Sequence, residues 1–535
     1  MNAAAVVLAV VAAVARPSKS PQELLPPTQL LSPEGHIVEE LFDTWQFLEA
    51  DRTLDSLARM TPGSPQVLYL QGYQQFLKGE YKGAVAKLAA ARQQFPGHRN
   101  LEGLFSLATA AERVIEGHVE RRSKHFRLRF PPEDEVLADH ALETLEAAAA
   151  ALKEDLGFEP TYLVSVDLYR GSEDLAAVSP LSEEEVERTG TIALCKWARL
   201  MVTSPRALRF GYPWMDTLSH EFVHYAVSSL TKDQAPVWLQ EGLAKFLESR
   251  WRRPPGEPLA PGNEHLLAKA LAANKLITFE AMHPSMAKLP RAEDAALAFA
   301  EVATTVAFVF HEGGMASVKN AVTAVAQGQD ARQAVAAALG LQWVNFDKKW
   351  RAYMRSQNFK TYAHLEPVTK KFRKKGALAS KRGPTEDEAL AEIGTGKADG
   401  FLRLGNILLL RSRPKAAAIE YAKGAKLAGP AHWLFPVKLG RTYLALHEPD
   451  KALAALGELR SIYPELPWPH LIAGQAWLEK GDAAQARTAL EASLANNPFD
   501  PELHCALANT YASLATTHAE LATKRDRARR ACDQR

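Results

Sequence analysis

Cysteine is nearly missing from this chain: three residues in 535, Cys195, Cys505 and Cys532, an odd and widely spaced set. Such a set predicts neither a disulfide framework nor a thiolate metal site, because both need paired or clustered sulfurs. Charge of one sign is lacking too, since 64 basic and 62 acidic residues leave a formal net charge of +2. No large positive field exists to hold a phosphate backbone, which sets nucleic acid aside as a partner. The apolar run at the start, AAAVVLAVVAAVA over residues 3–15, falls short of the roughly 20 residues a membrane-spanning helix needs. No stable transmembrane anchor is therefore expected. The run and its Ala-Val-Ala end fit the hydrophobic segment of an export signal over residues 1–15, although no Lys or Arg precedes it. The expectation is an exported protein, periplasmic or secreted; a cytoplasmic one is the alternative if the segment is not a signal.

What is present is ordinary for a soluble globular protein: 47% apolar and 24% charged residues. A chain this long exceeds one core, so two to four domains are expected. Both ends carry an internal period. In LGRTYLALHEPDKALAALGELRSIYP the residues Gly440, Ala452 and Pro464 stand twelve apart, and Gly474, Ala486 and Pro498 repeat the pattern. Gly405 and Ala417 form a weaker copy before them, and Ala508 takes the glycine's place in another after them. Gly440, Gly474 and Ala508 are 34 residues apart, which resembles the tetratricopeptide repeat, a helix-turn-helix unit of that length. Small residues let paired helices approach, and proline stops the second helix. Near the N-terminus Gly72, Ala84 and Pro96 keep the same offsets, preceded by a degenerate unit around Trp45 and Ala50 that closes at Pro62. The resemblance implies helical repeats over 36–118 and 385–535 that bind protein partners on a concave face.

The middle has another rhythm. KHFRLRF (124–130), TYLVSVDLY (161–169) and RLMVTS (199–204) read as strands, with an alanine-rich helix over 133–156 between the first two. Strands and helices in one block between helical arrays predict an α+β domain over 124–357. The basic stretch that follows, over 358–384, reads as a solvated linker.

The chemistry concentrates in DTLSHEFVHYAVSS (216–229). His220 and His224, four apart on a helix, lie one turn above each other on one face, where both imidazoles can ligate one zinc ion. Glu221 falls beside that site, placed to act as general base toward water at the metal. After a turn at TKDQAP comes VWLQEGLAKFLESRW, with Glu241 in the second turn of a returning helix. HEFVH followed by WLQEGLA resembles the thermolysin-like clan, the gluzincins, and more narrowly the bacterial peptidase MA-like metallohydrolases that are often fused to tetratricopeptide repeats. The resemblance covers roughly residues 124–357. It implies a zincin-like fold, one zinc ion held by His220, His224 and Glu241, Glu221 as catalytic base, and a peptide or protein as substrate. It also implies that LMVTSP, just ahead of the helix, is the edge strand that pairs with substrate; an ordinary core strand is the other reading.

Several neighbours are open. Glu248, seven residues after Glu241, is either an orienting carboxylate, a replacement ligand or a solvated side chain. Asp233 and Glu301 are similar candidates, while Tyr225 is rotated about 100° off the ligand face and reads as packing. Where relatives would place a Tyr to steady the oxyanion, this chain aligns Phe299, which has no hydroxyl; His311 is the polar group left near that helix's end, and a capping or surface role suits it better. Two readings follow: a zinc metallopeptidase whose repeats recruit substrate, or a repeat scaffold that keeps the fold without efficient catalysis. A purely structural zinc site fits less well, because two histidines and one carboxylate leave a coordination position open.

Overall fold

The computed structural model describes residues 30–282, 286, 289–362, 365, 370–373, 384–386, 396–429, 432–515 and 518–533. The expected export signal over 1–15 lies outside them, as does most of the basic stretch over 374–383.

Five helices come first: α1 (Pro33–Asp43), α2 (Phe47–Met60), α3 (Pro65–Leu77), α4 (Tyr81–Gln94) and α5 (Arg99–Val114). Ser32 and Ser64 accept backbone N–H bonds as N-caps ahead of prolines, which fixes where α1 and α3 begin. The α3–α4 hairpin closes on Gly72: a Cβ there would stand 2.6 Å from Leu88. The same relation recurs at Gly440 against Leu456 and Gly474 against Leu490, each sixteen residues on. The small residues of the repeat thus buy close helix approach.

The α+β domain follows. β1 (Val119–Arg122), β2 (Phe126–Phe130), β3 (Val164–Tyr169), β4 (Ala193–Lys196) and β5 (Arg199–Thr203) form one sheet in the order β1-β2-β3-β5-β4. The two inner pairings, β2–β3 and β3–β5, are parallel; the outer two are antiparallel. α6 (Glu135–Leu156) makes the crossover from β2 to β3, and α7 (Ser172–Ala177) and α8 (Glu183–Thr189) occupy the next connection. Two expectations change here. β1 extends the sheet ahead of residue 124. More consequentially, the strand of LMVTSP is β5, which lies inside the sheet between β3 and β4, so it is not the edge. β4 takes the edge through a tight hairpin whose turn residues, Trp197 and Ala198, both have positive φ, 52° and 54°.

Helices α9 (Trp214–Thr231), α10 (Val237–Leu247), α11 (Pro261–Ala273), α12 (Ala292–Ala326), α13 (Ala331–Ala337) and α14 (Trp343–Ser356) complete the domain. α9 packs under β4 and β5 and against α6, α10 and α12. α12 breaks at Gly314, whose φ of +66° and ψ of −170° leave the helical region. Among the described residues this is the one helix long and apolar enough to cross a membrane, over Glu293–Ala326, and 78% of an apolar 18-residue stretch of it is buried in the protein. It is a core helix.

The N-terminal helices share one continuous core with this domain. Trp45 meets Tyr225 edge-on at 5.1 Å, and Phe47 stacks on Tyr162 at 5.0 Å. On the face of the sheet opposite α9, Tyr81 donates to Asp167, Arg129 reaches the same carboxylate at 3.0 Å, and Arg199 donates to the Tyr81 hydroxyl at 3.0 Å. This charged group is wholly buried and fully satisfied at Asp167, the condition under which such burial is tolerated.

The C-terminal array is α15 (Asp399–Leu410), α16 (Pro414–Ala428), α17 (Leu434–Ala445), α18 (Pro449–Ile462), α19 (Pro467–Glu479), α20 (Ala483–Leu494), α21 (Pro501–Leu514) and α22 (Leu521–Asp533). It has smaller cores of its own. It abuts the start of α9, where Tyr212 and Trp214 donate backbone N–H bonds to Asn496 and Ala495. Arg527 on α22 pairs with Glu143 on α6. The expected absence of a disulfide does not hold: Cys505 and Cys532 are bonded, leaving Cys195 free and buried. The final hairpin brings two cysteines 27 residues apart to a Cα separation of 4.9 Å, a proximity that linear spacing hides. Nor is the basic stretch merely solvated: Leu208 forms an antiparallel bridge with Phe372.

Candidate metal centre

α9 is buried on nearly every side, its polar residues included, and it ends where Lys232 and Asp233 adopt positive φ, 52° and 57°. The reversal is locked by side chains. Ser228 donates to Asp233 at 2.9 Å, and Gln240 donates back to the Ser228 hydroxyl at 3.3 Å. Pro236 then starts α10, which returns along α9 with Glu241 facing the histidines. Gly242 lets α12 come close, since a Cβ there would stand 2.7 Å from the Val302 carbonyl oxygen.

The three expected ligands converge. His220 Nε2 and His224 Nε2 are 3.1 Å apart, and Glu241 Oε2 stands 3.3 Å from the first and 3.6 Å from the second. Two donors at about 2.0–2.1 Å from a tetrahedral ion are separated by about 3.3 Å, so these spacings fit one zinc-sized ion. The polar atoms also need a partner: His224 Nδ1, Glu241 Oε2 and both carboxylate oxygens of Glu221 are buried without a hydrogen bond. Orphaned donors and acceptors this deep are costly, and a cation among them would satisfy the acceptors.

Glu248 is neither solvated nor a ligand. Its Oε2 lies 3.0 Å from His220 Nδ1, which fixes the tautomer with Nε2 free to bind metal. Lys245 holds its other oxygen. Burial opposes charge on His220, but the Glu241 and Glu248 carboxylates outweigh it and raise the imidazole to about 10. Burial likewise opposes charge on Glu241, yet the two histidines hold it down to about 2. Glu221 goes the other way: burial is the main cause that lifts its pKa, with the histidines and the Cys195 backbone amide pulling against it. The edge strand therefore runs beside the expected base. Thr203 N–H donates to Ile192 O, so antiparallel alternation turns the N–H and C=O of Ala193 and Cys195 outward from β4.

The other candidates are elsewhere. Asp233 serves the reversal. Glu301 accepts from Ile277 N–H at 2.9 Å and touches neither histidine. Tyr225 packs among Trp45, Phe158 and Phe222. Phe299 is buried in the core, and His311 sits exposed beside Glu312 and Tyr353. Sequence reasoning missed β4 and missed Tyr212 and Lys370, whose ring and ammonium meet at 5.4 Å. Lys370 is far along the chain from α9, so no helical period or local motif signals the contact.

No curated protein matches the chain. Residues 443–510 match the tetratricopeptide repeat, and residues 144–356 match the Peptidase MA superfamily, ending with the last residue of α14. The chain carries a Peptidase MA domain of the gluzincin clan, with a His-His-Glu cluster on α9 and α10 compatible with metal coordination, followed by tetratricopeptide repeats.

Proposed function

We propose that this protein is a zinc-dependent metallopeptidase. The observation that supports it is the convergence of His220, His224 and Glu241 within 3.6 Å of one another, with the unpartnered carboxylate of Glu221 alongside. Zinc, when bound, supplies a Lewis acid that lowers the pKa of water and polarises a carbonyl. Glu221 accepts the proton of the attacking water on a carboxylate oxygen and passes it to the leaving amine. Glu248 keeps His220 in the binding tautomer. The outward N–H and C=O groups of Ala193 and Cys195 hold an extended peptide by strand addition, a role that passes to β4 from the strand named in the sequence.

The repeats recruit protein partners or substrate, and the apolar start fits export to a periplasm or beyond. A second reading, a scaffold with weak or no turnover, draws on Phe299 and on the burial of the site. Glu221, His224 and Glu241 are each 1% exposed and His220 7%, so substrate entry requires movement.

Zinc stoichiometry measured with chelator-sensitive casein cleavage separates the two. The peptidase binds about one zinc and cleaves; Glu221→Gln keeps the metal and loses at least about 100-fold in rate. Zinc without cleavage in the unmodified protein supports the scaffold, and retained activity in the variant removes Glu221 from its role.

A further inference from the structure

The stretch joining the Peptidase MA domain to the repeats does specific work where it is described. Residues 370–373 run antiparallel to the loop after β5: Arg209 N–H donates to Lys371 O at 3.0 Å, and Arg373 N–H donates to Ala207 O at 2.7 Å. Leu208 and Phe372 are bridged between these bonds. These two backbone bonds, astride Phe372, anchor the chain immediately after Lys370. Lys370 lies against Gly190, where an added Cβ would stand 3.4 Å from the lysine Cβ, and its ammonium is 5.4 Å from the centre of the Tyr212 ring. Gly190 precedes β4 by three residues and Tyr212 precedes α9 by two. The base of the lysine therefore lies beside the approach to the edge strand, and its ammonium stands at the start of α9.

Its surroundings leave that charge short of a partner. Among the described residues its one direct polar contact is the Tyr212 ring. The charged groups that act on it from a distance are Lys245, Glu248, Glu221 and Glu465. Glu248 is already engaged by His220 and Lys245. Burial pushes Glu465 up to about 7, so it is a weak counter-charge near neutrality. Burial, helped by Lys245, also pushes Lys370 down to about 7. A cation held rigidly in such a place gains most from an anion that arrives with a ligand.

We propose that Lys370 is a specificity-determining residue that receives a carboxylate of the substrate. A peptide paired with the outward edge of β4 and running past Ala193 reaches Gly190 and the ammonium beyond it. This rests on the peptidase reading for its geometry. The carboxylate is either the peptide's own C-terminus or an acidic side chain, and both present the same charged oxygens.

The test measures binding, so that it stands apart from turnover. Zinc-loaded full-length E221Q is titrated with one fluorescent neutral peptide in three forms: free C-terminal carboxylate, C-terminal amide, and amide with a glutamate moved through the sequence. A carboxylate-bearing form binds about tenfold tighter than the neutral amide. K370M abolishes the difference, and K370R retains most of it. Whichever form gains affinity identifies the source of the carboxylate. Equal affinity of all forms, no binding by any of them, or a preference that survives K370M overturns the proposal. The comparison among peptides on E221Q does not depend on whether K370M or K370R folds. Casein cleavage by the unmodified protein, measured alongside, keeps the two ideas apart: preference without turnover defeats the peptidase reading alone, and turnover without preference defeats the role of Lys370 alone.

Discussion

Glu248 shows how much of a metal site lies behind its ligands. The carboxylate sets which His220 nitrogen carries hydrogen, and Lys245 holds the carboxylate in turn. Replacing Glu248 with Gln keeps an acceptor but removes the charge that makes Nε2 a strong donor to metal. Zinc affinity is expected to fall about 10–100-fold, read by competition with a chromogenic chelator. Unchanged affinity would reduce Glu248 to packing. From sequence alone this residue had three roles open, because helical spacing places it on the right face but cannot say whether a histidine nitrogen or water meets it. His220, His224, Glu221 and Glu241 were legible for the opposite reason: their relation is set by one helix, one short turn and one returning helix, all local.

At the scale of elements, α10 and α12 decide where Glu241 stands. A methyl group at Gly242 would meet the Val302 carbonyl oxygen at 2.7 Å, a backbone atom with little room to yield. Gly242→Ala is expected to push α10 away from α12, costing about 1–3 kcal/mol of stability and weakening zinc binding with it. Denaturant titration and zinc titration on the same variant test both halves, and intact affinity would show that Glu241 follows α9 instead. Glu301, on α12, carries a second element-scale effect. Burial raises its carboxyl to about 8, against the Ile277 N–H and Arg351, which lower it. An acid whose folded pKa lies above its unfolded value binds its proton more tightly when folded. Its contribution to stability is therefore full below about pH 4.5 and lost as pH rises toward 8. Glu301→Gln should leave stability at pH 5 nearly unchanged and raise it by a few kcal/mol, roughly, at pH 8.5. Equal unfolding midpoints for variant and parent at pH 8.5 would refute this. The strands divide in legibility on the same physical ground. β2 (FRLRF), β3 (VSVDLY) and β5 (RLMVT) set large apolar residues at alternate or successive positions, whereas β1 reads VERR and β4 reads ALCK, too polar or too short to alternate visibly. That is why the edge was assigned one strand too far along the chain.

For the whole molecule, the repeats were legible because their small residues recur at fixed offsets. Their relation to the Peptidase MA domain was not, since contacts such as Trp45 on Tyr225 or Trp214 on Leu494 join residues with no shared pattern. The two arrays also differ in kind. The C-terminal one has cores of its own and meets the domain along a seam, while the N-terminal one shares a single core with the sheet.

That shared core bears on how the protein can be produced. A recombinant fragment trimmed to residues 144–356 would begin partway along α6 and leave behind β1, β2 and every ring and guanidinium they contribute, Phe126 against Phe222 at 4.9 Å among them. The metal helix would lose a neighbour and the sheet would gain a raw edge, a recipe for inclusion bodies. Soluble, zinc-loaded material should require a start near residue 30, and a monodisperse trimmed fragment on size exclusion would refute that dependence.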